Sequence, residues 1–457
     1  MPKQSISRRN LIKALGLTAG ATVLSSDHWA AYNPFDEALE GLDELKSINP
    51  DQPITAITLG AGNRGNVYGN YAVQYPNQLK IIGVAEPIAI RNERYAKKHQ
   101  IPDSARFSTW EQVFTKPKMA DAIIITTPDD LHFGPCMKAL DMGYHVLLEK
   151  PISPSEKECK QILEKAKKSG KIVAVCHVLR YAPYFIALKS IIESGVLGKL
   201  VSVQHFEPIE HIHMSHSFVR GNWHNSKQTA PIILAKSCHD LDILRWLVGV
   251  PSRQIHALGN LSWFHSGNAP QGSTSRCTDG CAVEKSCPYS ALKIYYRDRT
   301  YNYVFDLPED KAAQPEFVLQ QLKTTNYGRC VYKMDNDQPD HYTCNIGFDG
   351  EVTVSFSMEA FTSYHGRRTR LMGSLGDVVG DMTSFVHTDF LTGKKTEWKQ
   401  STDGHGGGDW RLVGNFIQAV SKNDPSLLTS TIDASIESHL MAFAAEKSRL
   451  SGNAVKM

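Results

Sequence analysis

The chain lacks any apolar run long enough to cross a bilayer, and the weakly apolar stretch near its start is too short and too polar to do so. It also lacks internal repeats, low-complexity segments and, outside the N-terminus, runs of basic residues. The net charge of +3 arises from well-mixed charges, so nucleic acid is not an expected partner. With 457 residues, 41% of them apolar, the chain should form about two globular domains with no membrane-embedded part in the mature protein.

The first 31 residues have the features of a twin-arginine export signal. Residues 7–13 place two arginines before a weakly apolar stretch over residues 14–24. No clean A-x-A cleavage site follows, and an uncleaved amphipathic start is the alternative. We expect a periplasmic or otherwise exported protein, with residues 32–52 as an N-terminal extension.

The sequence has nine cysteines but no C-x-x-C pair. Three of them, Cys277, Cys281 and Cys287, lie within eleven residues of one another. They could bind a structural zinc ion with a fourth ligand such as His265, form a disulfide, or remain unpaired thiols. A catalytic role is not expected, because no neighbouring pattern indicates an activated thiolate.

A glycine-rich turn predicts a dinucleotide site. It lies between a strand-like run over residues 54–59 and a helix-like run, and it consists of Gly60, Ala61, Gly62, Asn63, Arg64 and Gly65. The first glycine permits the tight turn, the second lets the backbone approach a pyrophosphate, and the third allows close packing of helix on strand. The N–H groups of the first helical turn would face the phosphates.

An acidic residue after the second strand indicates which dinucleotide binds. Glu86 follows an apolar run over residues 80–85, roughly 20 residues after the last glycine. Its carboxylate would accept hydrogen bonds from both ribose hydroxyls and repel a 2'-phosphate. The predicted cofactor is therefore NAD, while the nearby Arg91 keeps NADP as an alternative.

Strands and helices alternate over residues 53–178, which predicts a doubly wound parallel sheet and an NAD-binding Rossmann domain. After residue 179 the pattern changes, since Val201, Val203 and His205 alternate with polar residues and residues 352–356 do the same. Such alternation is typical of strands that bury one face. Residues 179–457 are therefore predicted to form an α+β domain with a large, mostly antiparallel sheet.

Polar residues follow two predicted strands at one edge of the parallel sheet, where open α/β folds bind ligands. Lys150, directly after Glu149, could contact the nicotinamide ribose and lower the pKa of a substrate hydroxyl. Thr127 and Pro128 should line the cofactor. His132 is expected either to cap the next helix or to touch ligand.

Other polar residues are candidates for the catalytic and sugar-binding site. His239 opens an amphipathic helix and could take a proton from an alcohol; its alternative is a capping or core histidine. Tyr181 follows the last Rossmann strand and is a further catalytic candidate. The remaining candidates lie in two segments that could build a sugar pocket or be loops without a catalytic role, and they are His216, Arg220, Trp223 and His405.

The order of these motifs resembles the Gfo/Idh/MocA family, named for glucose-fructose oxidoreductase and inositol dehydrogenase. The motifs that carry the resemblance are GAGNRG at 60–65, AEP at 85–87, TTPDDLH at 126–132, EKP at 149–151 and HDLD at 239–242. The resemblance implies a sugar or cyclitol bound between the two domains, and a homodimer or homotetramer. It also implies that Lys150 is the family lysine and His239 its catalytic histidine.

One position departs from the family pattern. Family dehydrogenases usually place an aspartate four residues before the histidine, where this chain has Ala235 beside Lys236. We expect an NAD(P)-dependent oxidoreductase that acts on a sugar, glycoside or cyclitol hydroxyl with a tightly held cofactor. The alternatives are a redox-neutral, NAD-dependent glycoside hydrolase or lyase that oxidises C3, eliminates, hydrates and reduces, and a non-catalytic sugar or nucleotide sensor.

Overall fold

The computed structural model describes residues 47–399 and 408–457. Two sheets organise these residues, one of six strands and one of nine. The predicted export signal, the extension up to residue 46 and His405 lie outside the described residues. Along the described part of the chain, no helix is both long and apolar enough to span a membrane.

The six-stranded sheet is parallel throughout and has the order β3-β2-β1-β4-β5-β6. Its strands are β1 (Ile54–Leu59), β2 (Leu79–Ala85), β3 (Arg106–Phe107), β4 (Ala122–Ile125), β5 (His145–Leu148) and β6 (Val173–Val175). The strand order reverses between β1 and β4, so a crevice forms at their carboxyl ends. The predicted doubly wound sheet is confirmed.

Helices cover both faces of this sheet. They are α1 (Asn63–Gln74), α2 (Ala89–His99), α3 (Phe133–Asp141) and α4 (Glu156–Ser169). Their coverage explains the non-alternating apolar run in β4, because Ile123, Ile124 and Ile125 are each no more than 1% exposed.

The nine-stranded sheet has the order β14-β13-β12-β11-β7-β10-β9-β8-β15. Its strands are β7 (Leu200–Pro208), β8 (Ser252–Asn260), β9 (His341–Phe348), β10 (Thr353–Glu359), β11 (Arg368–Gly373), β12 (Gly376–Gly380), β13 (Ser384–Asp389), β14 (Lys395–Lys399) and β15 (Val455–Lys456). The sheet is mostly antiparallel, as predicted. The pairing of β7 with β10 is parallel, because the β9–β10 hairpin sets β10 beside β7 in the same direction.

The longer helices of the second half are α5 (Pro183–Ser194), α6 (Cys238–Val248), α7 (Gln314–Thr324), α8 (Gly408–Lys422) and α9 (Ile432–Ser451). Helices α6 and α9 pack on one another and on the second sheet. Helix α8 instead returns to the Rossmann domain, where Leu412 and Phe416 share a core with Tyr71 and Tyr181. The end of the chain therefore helps to build the nucleotide domain.

A long segment between β8 and β9, residues 261–340, separates two neighbouring strands of the second sheet. It contains α7 and has a small core of its own that includes Ile294, Tyr295 and Leu322. Its middle part reaches the Rossmann domain, where Asp306 accepts a hydrogen bond of 2.8 Å from Arg91 Nε. The periodicity of the sequence did not anticipate this segment.

Candidate functional site

The glycine-rich turn leads from β1 into α1, and its geometry requires glycine at two positions. Gly60 has φ of +92°, and a Cβ there would lie 2.6 Å from the carbonyl oxygen of Thr126. A Cβ on Gly65 would lie 2.2 Å from the carbonyl oxygen of Gly60. Around Gly62 the space is open, since the nearest atom to its Cβ position is 4.0 Å away. The turn is thus tightly packed against the sheet but accessible to a ligand at its centre.

The start of α1 is suited to phosphate groups. Gly62 is the N-cap residue, no side chain caps the helix, and the first turn, which begins at Asn63, contains no acidic residue. The free N–H groups and the positive end of the helix dipole therefore face the open side of the turn. These features fit the pyrophosphate of a dinucleotide.

Glu86 lies at the carboxyl end of β2, beside the turn. Its carboxylate accepts hydrogen bonds from the N–H of Ala61 at 2.7 Å and of Ile88 at 2.9 Å. These two bonds hold the carboxylate where an adenosine ribose would lie. Arg91, the residue that could favour a 2'-phosphate, is paired with Asp306. The arrangement fits NAD.

Arg64 fastens the turn to distant parts of the chain. Its guanidinium bonds Glu149 and Tyr68 and forms a 2.6 Å ion pair with Asp409 at the start of α8. Burial alone would raise the pKa of Glu149, but Arg64 and Lys150 outweigh burial and lower it. Arg64 and Glu149 therefore hold the loop together. The sequence placed Arg64 and Glu149 at the cofactor but gave no signal for their link to Asp409.

Lys150 emerges from the carboxyl end of β5, as predicted, and is half-buried. Its Nζ donates a hydrogen bond of 2.9 Å to the backbone carbonyl oxygen of Ala235. This is the position that the resemblance reserves for an aspartate. A neutral carbonyl group thus stands in for the usual carboxylate partner.

Asp129 is a site residue that sequence reasoning missed. It follows β4, is 8% exposed, and accepts a hydrogen bond of 2.8 Å from Trp223 Nε1. Burial raises the pKa of Asp129, while His132 and Lys150 oppose this shift. A carboxyl group of raised pKa beside a lysine is a group suited to proton transfer. The available signal was its place in TTPDDLH, next to Thr127.

His239 begins α6 together with Cys238. Its Nδ1 is shielded from solvent and has no hydrogen-bond partner among the described residues. Burial, and next the charge of Lys150, lowers the pKa of His239 well below its usual range. The imidazole is therefore neutral at neutral pH.

Two further histidines lie behind His239. The ring of His177 meets that of His239 edge-on at 5.9 Å and that of His439 at 5.5 Å. His177 Nε2 lies 3.6 Å from Asp242 Oδ1. Burial lowers the pKa of both His177 and His439. Sequence reasoning had no signal for this row, because its members come from the turn after β6, from α6 and from α9.

Several predicted residues are placed differently. The hydroxyl of Tyr181 pairs with Ser430 Oγ at 2.9 Å inside the Rossmann core, because the turn after β6 directs its ring towards α8. The ring nitrogens of His132 lie 2.6 Å from the carbonyl oxygen of Pro151 and 2.9 Å from that of Thr127. His132 is the N-cap residue of α3, but its side chain makes no capping hydrogen bond and instead ties the two loops of the sheet edge together.

Among the predicted sugar-pocket residues that the structure describes, Trp223 is the one that lies at the edge of the parallel sheet with Asp129. Trp223 contacts Asp129, as described above. His216 is stacked between Tyr301 and Tyr327, at ring distances of 4.2 and 5.3 Å. Arg220 is 1% exposed and donates to backbone carbonyl groups in the 261–340 segment. These two residues are engaged in packing that only the long segment provides.

All nine cysteines are free thiols in the structure. Cys277, Cys281 and Cys287 line one small cavity, and a fourth cysteine, Cys330, also lines it. Within residues 47–399 and 408–457, no group of three or more histidine, cysteine or acidic side chains is already arranged around a metal position.

Comparisons with known proteins agree with this architecture. Residues 54–177 match the family model "Oxidoreductase family, NAD-binding Rossmann fold", and residues 189–270 match "Oxidoreductase family, C-terminal alpha/beta domain". The chain is 23% identical over 365 residues to YteT of Bacillus subtilis (strain 168), a protein named as an oxidoreductase, covering 74% of this chain and 82% of YteT.

Two other similarities involve named dehydrogenases. Over 221 residues the chain is 27% identical to scyllo-inositol 2-dehydrogenase (NAD(+)) of the same organism, covering 46% of this chain and 58% of that enzyme. The fold matches levoglucosan dehydrogenase in complex with NADH and levoglucosan, with a TM-score of 0.65 at 15% identity over 89% of this chain and 99% of that one. The two consecutive family models support a Gfo/Idh/MocA-type, NAD-dependent oxidoreductase.

Proposed function

We propose that the protein oxidises or reduces a hydroxyl-bearing carbon of a sugar, glycoside or cyclitol, with its NAD held tightly through turnover. The observation that carries this proposal is the hydrogen bond of 2.9 Å from Lys150 Nζ to the carbonyl oxygen of Ala235, four residues before His239. The charge of Lys150 also acts on the pKa of His239 and of Asp129. Bound nicotinamide supplies hydride transfer. The two named dehydrogenases support a sugar or cyclitol as the substrate class.

The side chains divide the proton chemistry between them. The ammonium group of Lys150 stabilises negative charge on the substrate oxygen and so lowers the pKa of the hydroxyl. The neutral imidazole of His239 accepts the proton as the carbonyl forms. Because Lys150 bonds a neutral carbonyl group at Ala235, its positive charge is not cancelled by the carboxylate usual at that position.

The test combines cofactor analysis with matched variants. Untagged protein is purified, denatured and examined by mass and absorbance for co-purified NAD, then assayed with a panel of sugars and cyclitols. Lys150→Ala should retain NAD and lose about 10²–10⁴-fold in kcat. Lys168→Ala, which removes the same charge at an exposed position, should leave kcat unchanged. Full activity in Lys150→Ala would remove Lys150 from the mechanism.

Redox-neutral glycoside cleavage is the second candidate, and Asp129 favours it. After a ketone forms at C3, a base must take the C2 proton, and an acid must protonate the departing glycosidic oxygen. A carboxyl group with a raised pKa suits the second task. Incubation with aryl glycosides and no added cofactor distinguishes the two reactions. Release of the phenol without accumulation of NADH indicates cleavage, and a lack of phenol release contradicts it.

The proposal also includes export and self-association. The twin arginines Arg8 and Arg9 support export of the folded, cofactor-loaded protein. Replacing both by lysine should keep the protein in the cytoplasm of an expression host, as measured by cell fractionation.

Two exposed apolar side chains on the second sheet, Leu258 at 58% and Val379 at 47% exposure, support a homodimer or homotetramer. Light scattering after size-exclusion chromatography tests this assembly, and a monomer would contradict it.

A further inference from the structure

Four cysteines line a single cavity in the segment between β8 and β9. Cys277, Cys281 and Cys287 come from the clustered stretch, and Cys330 comes from the far side of α7. The cavity has a volume of about 20 Å³. A space of this size accommodates one atom-sized guest. His265, the fourth ligand suggested by the sequence, does not line the cavity and accepts a hydrogen bond from the N–H of Gly267 instead.

The same cavity is lined by a buried positive charge. Arg220 is 1% exposed, and its Nη2 lies 3.9 Å from Cys277 Sγ. Its Nη1 has no hydrogen-bond partner, and no carboxylate forms an ion pair with it, among the described residues. The acidic residue that lines the cavity, Glu284, is paired with Arg297 at 2.6 Å. A buried guanidinium without a counter-ion is unfavourable, so negative charge is needed nearby.

Thiolates can supply that charge. The backbone N–H of Ala291 donates to Cys277 Sγ at 3.4 Å, a contact that stabilises a negative sulfur. A pair of disulfides would be neutral and would leave the charge of Arg220 unbalanced.

We propose that Cys277, Cys281, Cys287 and Cys330 bind one Zn²⁺ ion as a tetrahedral tetrathiolate, with Arg220 offsetting part of its negative charge. Four thiols lose four protons, four Zn–S bonds form, and no electron is transferred. The described cysteines do not yet surround a metal position, so ion binding would require their side chains to rotate and bring the four sulfurs together. The site would fasten the two ends of the segment that also contacts the Rossmann domain through Asp306.

Metal analysis of the full-length, untagged protein tests the site. The protein is purified from cells supplied with both zinc and iron, and zinc, iron and acid-labile sulfide are measured per chain. We expect one zinc per chain. Cys281→Ser and Cys330→Ser should each lower bound zinc at least tenfold. Cys159→Ser is the control, because Cys159 lies outside the cavity and serine preserves its hydrogen bond to the carbonyl oxygen of Ser153; it should keep full zinc.

The alternative outcomes are distinct. Iron with equimolar sulfide, and no zinc, would overturn the zinc assignment. Absence of both metals would overturn the site, as would alkylation of fewer than nine thiols in the denatured, unreduced protein, which would reveal disulfides. If a serine variant does not fold, the stoichiometry of the unmodified protein decides the question by itself.

Discussion

Replacing Arg180 should test how strongly the buried charges behind the site stabilise the fold. Arg180 is 3% exposed, and its guanidinium donates to both carboxylate oxygens of Asp242, at 2.7 and 2.6 Å. It also donates to the backbone carbonyl groups of Thr429 and Ala434. One side chain thus joins the end of β6 to α6 and to the start of α9.

Arg180→Met keeps much of the side-chain volume but leaves the Asp242 carboxylate buried without its cation. Removing one partner of such a pair costs about 3–5 kcal/mol in unfolding free energy. Replacing both partners, as Arg180→Met with Asp242→Leu, should recover most of that loss, because two apolar side chains leave no unpaired charge.

The loss should depend on pH in a defined direction. Burial already raises the pKa of Asp242 despite Arg180, and removal of Arg180 raises it further. A carboxyl group with a raised pKa in the folded state binds its proton more tightly when folded, so its stabilising contribution is present at low pH and is lost as pH rises. Arg180→Met should therefore be closer in stability to the unmodified protein at pH 5 than at pH 7.

Urea denaturation followed by circular dichroism at both pH values measures these differences. The unmodified protein, the single variant and the double variant are compared under the same conditions. A loss below about 1 kcal/mol in the single variant would refute the argument, since that is the range of an exposed ion pair. A double variant less stable than the single variant would refute it equally.

Three further predictions concern the cofactor and the proton-transferring group. Gly62→Ala should weaken NAD binding at least tenfold with little change in the thermal midpoint of unfolding. Gly65→Ala should lower both the NAD affinity and the thermal midpoint, because only a Cβ at position 65 collides with backbone. Calorimetric titration and thermal unfolding measure the two quantities, and equal effects of the two variants would contradict the turn geometry. Trp223→Phe removes the donor that lowers the pKa of Asp129, so the alkaline limb of the pH–rate profile, where Asp129 loses the proton it would donate, should move to higher pH, and an unmoved limb would exclude Asp129 as the proton donor. Asp306→Asn breaks the partly exposed ion pair with Arg91, which is worth about 0.2–1 kcal/mol. NAD release, measured by stopped flow, should therefore become at most about fivefold faster. A much larger change would show that the segment of residues 261–340 closes over the cofactor.

The sequence by itself determined the parts of this protein that follow from local chemistry. Only glycine can occupy Gly60, with its positive φ, and Gly65, with its contact to backbone, so the turn was evident from spacing alone. The apolar run of β4 correctly indicated burial on both faces. The alternation in β7 indicated burial on one face, which holds for Val203 and His205 but not for Val201, which is 48% exposed at the start of the strand. Lys150 and His239 were identifiable because a strand end and a helix start fix where each side chain emerges.

The tertiary structure decided what depends on pairing across the chain. Asp129 became a site residue through Trp223, which lies 94 positions away. Cys330 lines the same cavity as the three clustered cysteines, and Arg220 also lines that cavity and not the predicted sugar pocket. Periodicity reports whether a side chain is buried, but the partner it meets is set by how distant elements pack, and no local pattern encodes that choice.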